Sequence, residues 1–77
     1  MSILHNAALH IMESSGMKFM YLDTPGYSDP IVKAEDAATF EALHILMCAD
    51  TGADPAYISV RRVANWLTAA KALAAHA

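Results

Sequence analysis

The stretch AEDAATFEALHILMCAD, residues 34–50, constrains the fold of this chain more than any other. Glu35 and Asp36 suit the positive N-terminal end of a helix. After them only Thr39 and Glu41 are clearly polar before Asp50. Phe40, Leu43, Leu46 and Met47 fall on one side, while Ile45 and Cys48 lie on others. A helix that is apolar nearly all round is normally covered by other elements. The expectation is a helix over about 34–50, ended by Gly52, that forms the central and most buried element of a helical assembly.

Two further helices are legible on either side. Ile3, Leu4, Ala7, Ala8, Ile11 and Met12 recur at helical spacing on one face. Ser2 is a candidate cap, and Ser14-Ser15-Gly16 a stop signal, which together predict a helix over about 3–14. The last helix has the clearest start. Asp54 can accept from free backbone N–H groups, and Pro55 sits at the first helical position, where its missing donor costs nothing. This predicts a helix over about 55–75. On its wheel Val60, Val63, Ala64, Trp66, Leu67, Ala70, Leu73 and Ala74 cover about half the circumference. Arg61, Arg62, Asn65, Thr68 and His76 take the other side. Lys71 falls inside the apolar arc, which calls for snorkelling along its stem or an acidic partner on a neighbouring helix or subunit.

The remaining segment, GMKFMYLDTPGYSDPIVK, does not read naturally as helix. Met17, Phe19 and Tyr21 alternate with Lys18, Met20 and Leu22, and Pro25-Gly26 suits the centre of a type II turn. Two readings stand side by side over about 17–33: a short β-hairpin pairing about 18–22 with about 30–33, or an ordered loop whose aromatic side chains plug the helical core. The fold class is therefore mainly α, a small three-helix domain spanning 1–77, with a hairpin or loop between the first two helices.

Composition bears on whether such a domain stands alone. The hydrophobic fraction is 56%, above the usual range of about 45–50%. A 77-residue chain has little interior in which to hide it. The single cysteine excludes an intramolecular disulfide as a staple, and five methionines add adaptable apolar surface. Burial against a second copy, as a homodimer or other homo-oligomer, follows most simply. A compact monomer with scattered surface alanines is the alternative.

Charge is unevenly spread. The net formal charge is −3, yet all eight acidic residues lie within 1–54, and Arg61, Arg62 and Lys71 in 55–77 face no acid in their own segment. Such asymmetry can steer head-to-tail association, or direct an acidic partner to the last helix. The N-terminal segment has no basic lead, and no apolar run approaches the ~20 residues of a membrane span. With one thiol, the expectation is a cytoplasmic protein without a membrane segment.

Four functional classes compete for these residues. DNA binding would use residues 34–50 and 54–75 as a helix-turn-helix, with Arg61 and Arg62 on phosphate or base edges. Few base-reading side chains crowd the start of the second helix, and Asp50 with Glu35 and Asp36 would face phosphate, so nucleic acid is disfavoured. His44 and Cys48, four apart, share one helical face, and His5 or His10 could join them around zinc. One close ligand pair is a weak signal, and a lone thiol on an apolar helix usually packs as a small hydrophobe, so no metal or other cofactor is expected. His44 with Cys48 lacks a cleft and oxyanion donors, and His10 with Glu13 reads as a mild ion pair, so no catalytic residue is assigned.

A protein-interaction or regulatory role, of adaptor or inhibitor type, remains. Its surface would combine Phe19, Tyr21 and Tyr27 with Arg61, Arg62 and Trp66, since interfaces favour aromatic side chains, methionine and arginine. The partner would be a second copy or a larger protein. Trp66, at the edge of its apolar face, is read as a core or interface anchor.

Overall fold

The computed structural model describes residues 2–21 and 30–76, and it is mainly helical. Helix α1 runs Ile3–Ser15, α2 Ala37–Thr51 and α3 Val60–Ala75. The ends of α1 and α2 follow local chemistry. Ser2 Oγ accepts from the His5 N–H at 3.1 Å, which closes the open end of α1. Gly16 and Gly52 then take left-handed φ values of 69° and 73°, and their N–H groups donate to Met12 and Cys48 carbonyls at 3.0 and 2.9 Å. A side chain at either position would be strained, which is why glycine ends both helices.

Two boundaries differ from the sequence reading. The expected start of the second helix near 34 is a single 3-10 turn, Ala34–Asp36, that leads into α2. The expected single helix from Pro55 is likewise broken. Asp54 does cap Pro55–Tyr57, accepting from the Ala56 N–H at 3.0 Å, but that element is one 3-10 turn. Ile58 is then extended, and Ser59 caps a fresh helix by accepting from the Arg62 N–H at 3.2 Å. The reason lies in two residues that favour non-helical backbone. A β-branched Ile58 tolerates the extended form and turns onto the core, and the Ser59 hydroxyl competes for backbone N–H groups.

The segment between α1 and α2 contributes one minimal antiparallel pair. β1 (Met20–Tyr21) faces β2 (Pro30–Ile31), with Met20 opposite Ile31 and Tyr21 opposite Pro30. The proposed Pro25-Gly26 turn and Tyr27 lie outside the described residues. Phe19, just before β1, does plug towards the helices as the loop reading required. It lies partly buried on the core, edge-on to Phe40 at a ring separation of 6.3 Å.

Among the described residues the core is small and wholly apolar. Ala8, Met17, Leu43, Met47, Val63 and Leu67 form its buried cluster, with Ile11, Phe40 and Trp66 among the side chains packed around it. One expectation is overturned here. α2 is not the most buried helix: it buries Leu43 and Met47, whereas α3 buries Val63, Ala64, Leu67 and Ala70. Ile45 on α2 is 63% exposed. The hub is α1, which packs against both other helices, while α2 and α3 touch each other least. An all-round apolar composition does not show which side neighbours will cover. Here the alanines at the ends of α2 lower the cost of leaving a side open.

The division predicts a contrast between neighbouring residues on α2. Leu43→Ala should lower unfolding stability by about 2–5 kcal/mol, the usual range for a fully buried leucine. Ile45→Ala should stay within about 0.5 kcal/mol in dilute solution. Urea unfolding followed by circular dichroism measures both, and equal losses would refute the packing described.

Candidate functional site

Two features of the described surface have the chemistry of sites: a polar clasp joining the three helices, and an apolar cleft beside α3. The clasp centres on Asp50, in the last turn of α2. Its Oδ2 accepts from the Trp66 indole N–H of α3 at 3.0 Å and lies 3.1 Å from His5 Nε2 in the first turns of α1. The His5 and Trp66 rings themselves pack at 5.1 Å, tilted by 59°. If Nε2 donates to Asp50, the buried Nδ1 of His5 is left without a hydrogen-bond partner.

This geometry acts on the carboxyl. The Trp66 N–H first, and then the Ser2 hydroxyl, hold Asp50 below its ordinary range, because donors favour the charged form. Partial burial pushes the other way, and His5 adds a further lowering through charge and hydrogen bonding. Trp66 is therefore an anchor, as its place on the wheel implied, but a polar one. Its partner on α2 could not be read from α3 alone.

The cleft lies between the C-terminal half of α1, the residues that follow it, and α3. Its volume is about 680 Å³, within the range of about 300–1,000 Å³ typical of ligand-binding clefts. Leu9, Met12, Met17, Phe19, Ala64 and Leu67 give it apolar walls. Glu13, Lys18, Thr68 and Lys71 supply its polar groups. The odd position of Lys71 in the apolar arc is thereby accounted for. Lys71 borders the cleft, is exposed, and forms no ion pair among the described residues.

Among the residues singled out from sequence, Tyr27 lies outside the described residues. Phe19 lines the cleft, whereas Trp66, Arg61 and Arg62 do not. Tyr21 is placed by its backbone opposite Pro30. Arg61 and Arg62 are both exposed on the first turn of α3. Leu9 and Lys71, which help to complete the cleft around Phe19, were not grouped with it from sequence. The one available signal was a lysine on an apolar helical face.

The chemically suggestive pairs are also placed. His44 lies beside Phe40, with ring centroids 6.0 Å apart, and its buried Nε2 has no hydrogen-bond partner. Cys48 is a half-buried free thiol. His5 is engaged with Asp50 rather than turned towards that pair, and no group of three potential ligands occurs among the described residues. The expected His10–Glu13 ion pair does not form. The Ser14 hydroxyl lies 3.5 Å from His10 Nε2, and Glu13 borders the cleft. No described helix is long and apolar enough to cross a membrane. Comparison with protein-family models, curated proteins and solved structures finds no match for this chain.

The clasp predicts a pH-dependent effect with a definite sign. The folded state binds the Asp50 proton less tightly than the unfolded chain does, so its stabilisation is present above the ordinary aspartate range and fades as pH falls through the lowered value. Asp50→Asn should therefore be less stable than the parent at neutral pH, with the gap closing in acid. Trp66, the one tryptophan, is a direct optical reporter. Its fluorescence should show an acid transition in the parent that the Asn variant lacks, and a pH-independent stability gap would rule the clasp out.

Proposed function

We propose that this chain is a small protein-interaction module, with a regulatory role of adaptor or inhibitor type, that acts through apolar surface and self-associates. The observation that carries the reading is the cleft, apolar on its walls, open to solvent, and lined by Phe19 rather than sealed by it. The rest of the described surface supports it. Ile3, Tyr57 and Leu73 are 84%, 78% and 51% exposed, in a chain whose buried core is limited to small and medium apolar side chains. Interfaces draw on such residues. The role is one of binding rather than catalysis. A cytoplasmic setting suits the free thiol of Cys48.

The alternative DNA-binding reading with Arg61 and Arg62 is weakened by geometry. Residues 52–59 separate α2 from α3 and include a 3-10 turn of their own. A helix-turn-helix joins its helices through about three or four residues.

The native mass of the untagged protein over a concentration series tests the proposal. Mass should rise with concentration, and Phe19→Ala should weaken assembly by about tenfold, or about 1.4 kcal/mol, with helix content retained. A monomer at every concentration would overturn self-association. A salt-sensitive shift of duplex DNA that Arg61→Ala with Arg62→Ala abolishes would favour the alternative instead.

A further inference from the structure

The open side of α2 carries a regular pattern. Ala38, Glu41, Ile45 and Ala49 are all exposed. Their spacing of three, four and four residues places them in one stripe along the helix. Ile45 is the single large apolar side chain in that stripe, and the flanking alanines let another surface approach the backbone closely. Glu41, one turn before Ile45, sits in the same row. The stripe is thus a knob with small shoulders and one negative charge.

The cleft has the opposite character. Its walls are Leu9, Met12, Met17, Phe19 and Leu67, and Lys18 and Lys71 border it against one carboxylate, Glu13. Neither lysine forms an ion pair among the described residues. An occupant should offer an apolar knob together with an acidic group nearby. Glu35 and Asp36, just before α2, add negative charge at the same end as Glu41.

We propose that the cleft of one copy receives the Ala38–Glu41–Ile45–Ala49 stripe of a second copy, with Ile45 between the apolar walls and Glu41 towards Lys18 and Lys71. This rests on the self-association proposed above and names the surfaces that carry it. The two surfaces are different parts of the same chain, so the contact is heterologous. Repeated, it generates a closed ring or an open chain rather than an isologous dimer. Burying a glutamate and lysines together at the border of a cleft fixes register and partner choice more than affinity. The apolar knob supplies the affinity.

Two variants separate the surfaces without touching the buried core. Ile45→Asp spoils the stripe and leaves the cleft intact. Lys18→Glu with Lys71→Glu inverts the cleft border and leaves the stripe intact. Each variant alone should retain parental helix content and self-associate at least about tenfold more weakly, by sedimentation velocity. An equimolar mixture should form a 1:1 heterodimer, because the intact stripe of the charge-inverted chain meets the intact cleft of the Ile45→Asp chain. If the parent assembles but either variant assembles as well as the parent, the assignment of surfaces is overturned while self-association stands. A mixture that stays monomeric overturns the assignment in the same way. A parent that is monomeric at all concentrations overturns both.

Discussion

The arrangement of the three helices depends on a single carboxylate. Asp50 ends α2, and its Oδ2 meets His5 from α1 and Trp66 from α3, at 3.1 and 3.0 Å. The buried core offers no comparable direction, because among the described residues it consists of alanine, methionine, leucine and valine side chains alone. Apolar packing is tolerant of small slides and rotations, whereas a shared carboxylate with two ring partners has a narrow geometry. Ser2 links the N-terminus to the same point: its hydroxyl caps α1 and also bears on Asp50. One side chain thus touches partners on both of the other helices.

That clasp has consequences for the surface. Holding the first turns of α1 against the end of α2 engages the Trp66 indole N–H within the fold. The aromatic contribution to the cleft comes instead from Phe19, placed by the chain that leaves Gly16 and held edge-on against Phe40. Met17, which is buried, and Met12 also line the wall. Lys71 is exposed at the border of this apolar surface, so a charged residue adjoins an apolar space.

The open side of α2 follows from the same packing. With α1 as the hub, α2 packs mainly against α1 and retains an exposed Ile45 among alanines. The negative residues before and within α2 and the positive residues bordering the cleft place unlike charges on different parts of one chain. This is a local form of the charge asymmetry visible along the sequence.

What the sequence determined by itself is local. Ser2, Gly16 and Gly52 act within a turn of their own positions, so the ends they mark were legible without any fold, whereas Asp54 capped only a 3-10 turn and not the helix expected from it. The apolar arc of α3 was legible for the same reason, since a helical face follows from periodicity alone. The tertiary structure decided everything that needs a second element. It placed Asp50 beside Trp66, sixteen residues away, turned Ile58 onto the core at the cost of a continuous helix, and chose which side of α2 to cover. It also set Lys71 beside Lys18 and Phe19 in one cleft. Such choices depend on which face meets which neighbour, and a helix apolar on nearly every side carries no periodic signal of that kind.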